Sequence, residues 1–278
     1  MNELDRIKSY FGFIKMPFTN NALGEREFFK SSAFIEAETR LSLALETEKL
    51  FVLTGESGCG KSSLLRYFVS QLDPGCYKPV YVPAETDMKF SGMIKAALAE
   101  MQMEVPYNST KARREFKSSI ERFNKEKGIK TVLIIDEAHD LPAYTLLSLK
   151  PLLNYHFDSE NYLFVILCGQ NTLLELISLY PLTSLKKRIR IGYSMQPLSL
   201  TETANYISHQ MKACGVERTV FSDEVKSRIY ERTKGNTAEI NDLCFNLVIH
   251  AAAHSKDIIE ISMLNDVEKS RNDGRGVT

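Results

Sequence analysis

The sequence has no tryptophan, and its five cysteines (Cys59, Cys76, Cys168, Cys214 and Cys244) form no CxxC pair and stand at no metal-ligand spacing with histidine. An odd, scattered set argues against a disulfide framework or a zinc site and for a reducing compartment. No apolar run, Leu163 to Cys168 included, comes near the length of a membrane span. The opening Met-Asn-Glu-Leu-Asp-Arg lacks a signal-peptide hydrophobic region. Neither sign of charge is in excess, with Lys plus Arg and Asp plus Glu at 35 each, so a nucleic-acid or acidic partner would have to be met by a local patch. These absences point to a cytoplasmic protein with no membrane partner.

What remains is an ordinary folding composition: 278 residues, 44% hydrophobic and 25% charged, enough for one large α/β domain or a core domain with a smaller appendage. The first 34 residues hold seven aromatic rings (Tyr10, Phe11, Phe13, Phe18, Phe28, Phe29 and Phe34), too much apolar surface to leave in water. Residues 1–49 therefore read as an ordered aromatic arm followed by an amphipathic helix, Ser31 to Glu48. From Leu50, β-rich runs alternate with helical patterns: Leu50 to Thr54, Val80 to Pro83, Thr131 to Asp136, Tyr162 to Gly169 and Arg188 to Met195. Two helical stretches, Met88 to Met101 and Ser109 to Lys127, separate the second and third. That alternation predicts a five-stranded parallel sheet covered on both faces over residues 50–196. After Pro197 only helical patterns follow, which predicts a small all-α lid domain over 197–270 and a disordered tail over 271–278.

Gly55-Glu56-Ser57-Gly58-Cys59-Gly60-Lys61-Ser62 fits GxxxxGK[ST] between an apolar strand and a helical run opening at Ser63, the context this phosphate loop requires. Its backbone N–H groups converge on phosphate oxygens, Lys61 reaches the β and γ phosphates, and the Ser62 hydroxyl ligates magnesium. Cys59 reads as a small filler residue. Downstream, Thr131-Val-Leu-Ile-Ile-Asp136-Glu137 supplies the acid that magnesium needs at the end of a buried strand; Asp136 holds the metal and Glu137 polarises the attacking water. The pair makes a P-loop nucleoside triphosphatase, with ATP and Mg2+ as cofactors. The strand at 80 to 83 points to the class in which an extra strand lies between the two motif strands. Asn124-Lys-Glu-Lys127 is not the guanine-reading NKxD, so adenine is the expected base. Asp136-Glu-Ala-His139 also spells a helicase DEAH string, but one ATPase core with a small helical domain leaves no room for a second core, and His139 reads as a local hydrogen-bonding residue.

Tyr10-Phe-Gly-Phe with Pro17-Phe18, Val52-Leu-Thr-Gly-Glu, the two motifs above, Cys168-Gly-Gln170, Lys187-Arg188-Ile189, Gln196-Pro-Leu-Ser199 and Gly235 to Leu243 together resemble AAA+ ATPases of the ExeA/GspA-like group, close to transposition regulators of the TniB, TnsC and MuB type. The resemblance implies that Gln170 is sensor 1, holding the attacking water or γ phosphate. It implies that adenine sits near Phe18 or Pro197, and that Arg188 is an arginine finger reaching a neighbouring subunit in a homo-oligomer, ring or filament. A solvated basic cluster of Lys186, Lys187, Arg188 and Arg190 is the alternative. Where the family commonly carries a sensor-2 arginine this chain has Ala238, which predicts slow or partner-dependent hydrolysis. Lys89, Lys111, Arg113 and Arg114 lie where similar ATPases face double-stranded DNA, although a solvated helix face balanced by Glu115 and Glu121 reads equally well. The implied function is an ATP-dependent regulator of DNA transposition that assembles on DNA and recruits a transposase. The alternatives are a secretion-assembly ATPase of the ExeA type, which would add a membrane span and a cell-wall-binding module, and a replication loader or adaptor.

Overall fold

The computed structural model describes residues 2–19, 28–156 and 159–274. The chain divides into two compact units, one of Phe34–Glu56 and Lys61–Met195, the other of Met1–Ala33, Ser57–Gly60 and Gln196–Thr278. The expected boundary at residue 49 thus falls instead at Ala33/Phe34. The helix Ser32–Thr47 buries Phe34, Ala37, Leu41, Ala44 and Leu45, and the Phe34 ring lies 5.5 Å from Tyr67 in the α/β unit. Phe11, Phe13 and Phe18 join the core of the helical unit.

In chain order the elements are α1 (Glu3–Phe11), α2 (Ser32–Thr47), β1 (Leu50–Gly55), α3 (Lys61–Gln71), β2 (Tyr77–Pro83), α4 (Phe90–Glu100), α5 (Ser109–Lys127), β3 (Lys130–Asp136), α6 (Ala143–Leu147), β4 (Leu163–Gly169), α7 (Thr172–Ser178), α8 (Thr183–Lys186), β5 (Ile191–Met195), α9 (Leu200–Ala213), α10 (Asp223–Thr233), α11 (Thr237–Ala253) and α12 (Ile261–Gly274).

The five strands are all parallel, in the order β2-β3-β4-β1-β5. The three central strands are covered on both faces, which is why they read as unbroken apolar runs. Leu50, Val52, Val80, Val82, Leu133, Ile135, Val165 and Leu167 point into one core with Met93, Ile94 and Leu98 of α4 and Phe116 and Ile120 of α5. The alternate set, Phe51, Leu53, Val132, Ile134, Phe164 and Ile166, is equally buried. The strand inserted between the two motif strands is β4; the strand expected at 80 to 83 is β2, at the sheet edge, where only Val80 and Val82 are buried.

β2 begins at Tyr77 because it pairs with β3 from Tyr77↔Lys130 onward. β5 begins at Ile191, not Arg188: the N–H groups of Arg188 and Ile189 donate to Leu185 and Lys186 at 2.9 and 3.0 Å, closing a turn. The helical unit packs α1 and α9–α12 around Ile207, Val225, Ile229, Ile240, Leu247 and Leu264. Its helix starts follow capping chemistry: Asn2, Ser199, Ser222 and Asn236 each accept a backbone N–H of the first turn. α12 runs to Gly274, so residues 271–274 are helical where a disordered tail was expected, and 275–278 lie outside the described residues.

Candidate functional site

Because every strand is parallel, the C-terminal ends of β1, β3 and β4 deliver Gly55, Asp136 and Gly169–Gln170 to one edge of the sheet, where open α/β folds place their ligands. Lys61 opens α3 and is buried. Its ammonium donates to the carbonyls of Gly55 and Glu56, both at 2.9 Å. Ser62 and Asp136 line the same cavity, of about 450 Å³. A hydroxyl and a carboxylate converging on one space form the all-oxygen donor set that suits Mg2+, so the residues fit that cofactor.

Asp136 is held at both oxygens: Oδ1 accepts the Glu137 N–H at 3.0 Å and Oδ2 accepts the Tyr81 hydroxyl at 2.9 Å. Register explains the second contact, since Tyr81 pairs with Ile134 and so projects on the face that also carries Asp136. Burial of the phenol, then the hydrogen bond and charge of Asp136, push Tyr81 above its ordinary value, which keeps the hydroxyl a donor. Burial likewise raises the Cys168 thiol, with Asp136 adding to the shift.

Glu137 is exposed and sits in the left-handed region at φ 52°, at the start of a one-turn 3-10 helix, Ala138–Asp140. His139 Nδ1 lies 3.3 Å from Glu137 Oε2 and 3.4 Å from the Gln170 N–H. Gly169 permits that approach, because a Cβ there would stand 3.1 Å from His139 Nδ1. His139 Nδ1 thus lies between the Glu137 carboxylate and the backbone of Gln170, and as one nitrogen it either donates to the first or accepts from the second, a local hydrogen-bonding role of the kind the sequence suggested.

Ser57, Gly58, Cys59 and Gly60 belong to the helical unit. There the Asn236 amide donates to the Ser57 carbonyl at 2.7 Å, and the Gly58 carbonyl accepts the Thr237 hydroxyl and the Ala238 N–H, the latter at 3.3 Å. Ala238, where the resemblance leads one to look for an arginine, thus meets loop backbone. Phe18 is a core residue of the helical unit: it is 5% exposed and its ring packs edge-on to Phe221 at 5.8 Å. Pro197 is half-buried just before Leu198.

Arg188 occupies the turn before β5, half-buried. Within that basic cluster Lys186 donates to Ser178 and Arg190 pairs with Glu48 at 3.3 Å. Lys89, Lys111, Arg113 and Arg114 are all exposed at the starts of α4 and α5, and the Arg113 guanidinium lies 4.7 Å over the Phe90 ring, beside Lys89. Tyr81, Asn236 and Thr237 were missed from sequence. For Tyr81 the alternation Val80-Tyr-Val82 was a usable signal, whereas nothing local marks the other two.

Residues 44–177 match the family model described as an AAA domain. The matched stretch is just under half of the chain and holds both nucleotide motifs. The chain is similar to the general secretion pathway protein A of Aeromonas hydrophila, 25% identical over 256 residues that cover 88% of this chain and 44% of that protein, so it spans less than half the length of this curated relative. Among solved structures it resembles Cdc6p from Pyrobaculum aerophilum, with a TM-score of 0.72 at 15% identity, covering 95% of this chain and 70% of that one. It also resembles Drosophila ORC bound to DNA, with a TM-score of 0.66 at 12% identity, covering 96% and 65%. These likenesses establish the P-loop AAA+ fold, a five-stranded parallel sheet with flanking helices. Among the described residues, no helix is long and apolar enough to cross a membrane.

Proposed function

We propose that this AAA+ ATPase is a Mg-ATP-driven switch whose output is a homo-oligomer on double-stranded DNA. The observation that carries the nucleotide chemistry is the convergence of Ser62 and Asp136 on one cavity, with Glu137 next in the chain. Bound Mg2+ would neutralise phosphate charge and orient the β and γ oxygens. Ser62 Oγ and the Asp136 carboxylate would hold it, while Lys61 exchanges the Gly55 and Glu56 carbonyls for phosphate oxygens and the loop N–H groups donate to the oxygens that remain. Glu137, exposed and turned out of the strand, takes the proton of the attacking water. Gln170 orients that water, and Arg188 of a neighbouring copy stabilises the transition state. With alanine at position 238 the helical unit offers no sensor-2 charge there, which fits a slow basal rate.

DNA as the target is supported by the exposed Lys89, Lys111 and Arg114, which meet phosphates without reading bases, and by the DNA-bound state of the Drosophila ORC relative. Recruitment of a transposase by a cytoplasmic assembly rests on the sequence resemblance alone. A secretion-assembly role is favoured by the match to general secretion pathway protein A, and a replication role by the Cdc6p and ORC folds. Duplex DNA binding measured with and without a non-hydrolysable ATP analogue tests the reading: salt-sensitive, ATP-dependent binding supports it, and no binding at low salt turns the assignment to secretion assembly.

A further inference from the structure

Within the motif Gly235-Asn-Thr-Ala238-Glu-Ile-Asn241, Asn236, Thr237 and Asn241 each use their side chains inside the helical unit. Gly235 has no room for a side chain: a Cβ would lie 1.9 Å from the Leu198 carbonyl oxygen, and the Leu198 N–H donates to the Gly235 carbonyl at 3.0 Å. Asn241 accepts the Tyr206 hydroxyl at 2.7 Å, tying α11 to α9. The start of α11 is therefore fixed in place before it touches anything else.

Asn236 caps that helix through Oδ1, which accepts the N–H groups of Ala238 and Glu239. With Oδ1 so used, the amide can only donate elsewhere, and it donates to the Ser57 carbonyl. Thr237 donates its hydroxyl to the Gly58 carbonyl. The fit is tight: a Cβ on Gly58 would meet Asn236 Oδ1 at 2.3 Å and the Ala238 Cβ at 2.7 Å.

Each carbonyl belongs to a planar peptide whose N–H points the opposite way, and among the described residues no peptide is cis. Holding the carbonyls of Ser57 and Gly58 therefore turns the N–H groups of Gly58 and Cys59 away from α11. These are loop amides of the kind that grip phosphate. We propose that Asn236 and Thr237 are positioning residues of the phosphate loop, using neutral hydrogen bonds to its backbone to preorganise the amides that an anion will meet. Small Ala238 admits the loop to this contact. The helical unit thus reads the loop itself.

The inference rests on the ATPase reading, and the test separates the two. Mg-ATP affinity of the full chain is measured by calorimetry for wild type, Thr237→Val and Thr237→Ser, together with amide exchange of the peptide containing residues 57–60 in nucleotide-free protein. Val keeps the shape of Thr without the donor, and Ser keeps the donor. Loss of one neutral hydrogen bond predicts roughly three- to tenfold weaker binding for Thr237→Val. The same variant should show faster exchange at Gly58 and Cys59 with an unchanged melting temperature, and Thr237→Ser should restore affinity to within about twofold of wild type. Wild-type affinity and exchange in Thr237→Val overturn the proposal, as does a Thr237→Ser variant as weak as Thr237→Val. Failure of the wild type itself to bind Mg-ATP would instead remove the ATPase reading.

Discussion

The two units treat the backbone of the phosphate loop differently. In the α/β unit the carbonyls of Gly55 and Glu56 accept a charged donor, Lys61 Nζ; in the helical unit those of Ser57 and Gly58 accept neutral donors, Asn236 and Thr237. The ammonium is a mobile point charge that a polyphosphate outbids, because a charge-assisted bond is roughly twice as strong as a neutral one. The neutral donors sit at the start of α11, which the Leu198–Gly235 and Tyr206–Asn241 hydrogen bonds fix, and so keep their carbonyls. The difference teaches that one half of the loop is built to exchange partners on binding and the other to stay as it is.

The largest expected effect removes the exchangeable donor. Lys61→Ala should lower Mg-ATP affinity about 100-fold or more, read by calorimetry, since a charge contact to phosphate is lost outright. If Lys61→Ala bound as wild type, the contrast between charged and neutral donors would have no functional content. Next, Glu137→Gln should leave Mg-ATP affinity within about twofold while turnover falls by roughly 100-fold, the usual worth of a general base. Normal turnover in this variant would move the base elsewhere.

A smaller effect concerns the metal side of the α/β unit. Tyr81→Phe keeps the ring and deletes the hydroxyl that orients Asp136 Oδ2; the Mg2+ concentration needed for half-maximal ATP binding should rise by about tenfold, with affinity in chelator unchanged.

The smallest lies in the helical unit, at the capping box of α9. The Glu202 carboxylate accepts the backbone N–H and hydroxyl of both Ser199 and Ser32 at 2.8 to 2.9 Å. Partial burial opposes ionisation, but those hydrogen bonds outweigh it and hold the carboxyl at about 2, below its ordinary 4.5. A depressed carboxyl stabilises the fold above its unfolded value and loses that contribution as pH falls toward the folded one. Glu202→Gln should therefore cost about 1 kcal/mol at pH 7, discounted for solvent screening, with the gap to wild type closing between pH 4.5 and 2 in urea titrations. A gap independent of pH would assign the effect to packing.

The sheet was legible in the sequence because a strand buried on both faces must be apolar throughout, and Val132 to Ile135 and Leu163 to Leu167 are. The edge strand was legible only in part: Tyr77 and Lys78 are half-exposed and carry no strand pattern, and their pairing with β3 is a tertiary fact. Phe18 was legible as part of an aromatic arm that must be buried, and the structure places it in the helical core.

By itself, then, the sequence determined the P-loop motif, the buried strand that ends in Asp136 and the parallel class of the sheet, because each depends on residues close together in the chain whose chemistry tolerates few substitutes. Only the tertiary structure decided that β4 separates the motif strands, that Tyr81 holds Asp136, and that Asn236 and Thr237 meet the carbonyls of Ser57 and Gly58 across 179 positions of sequence. Hydrogen bonds of that kind need only one donor of common type in the right place. Where that place lies is set by the packing of whole elements, and no local pattern records it.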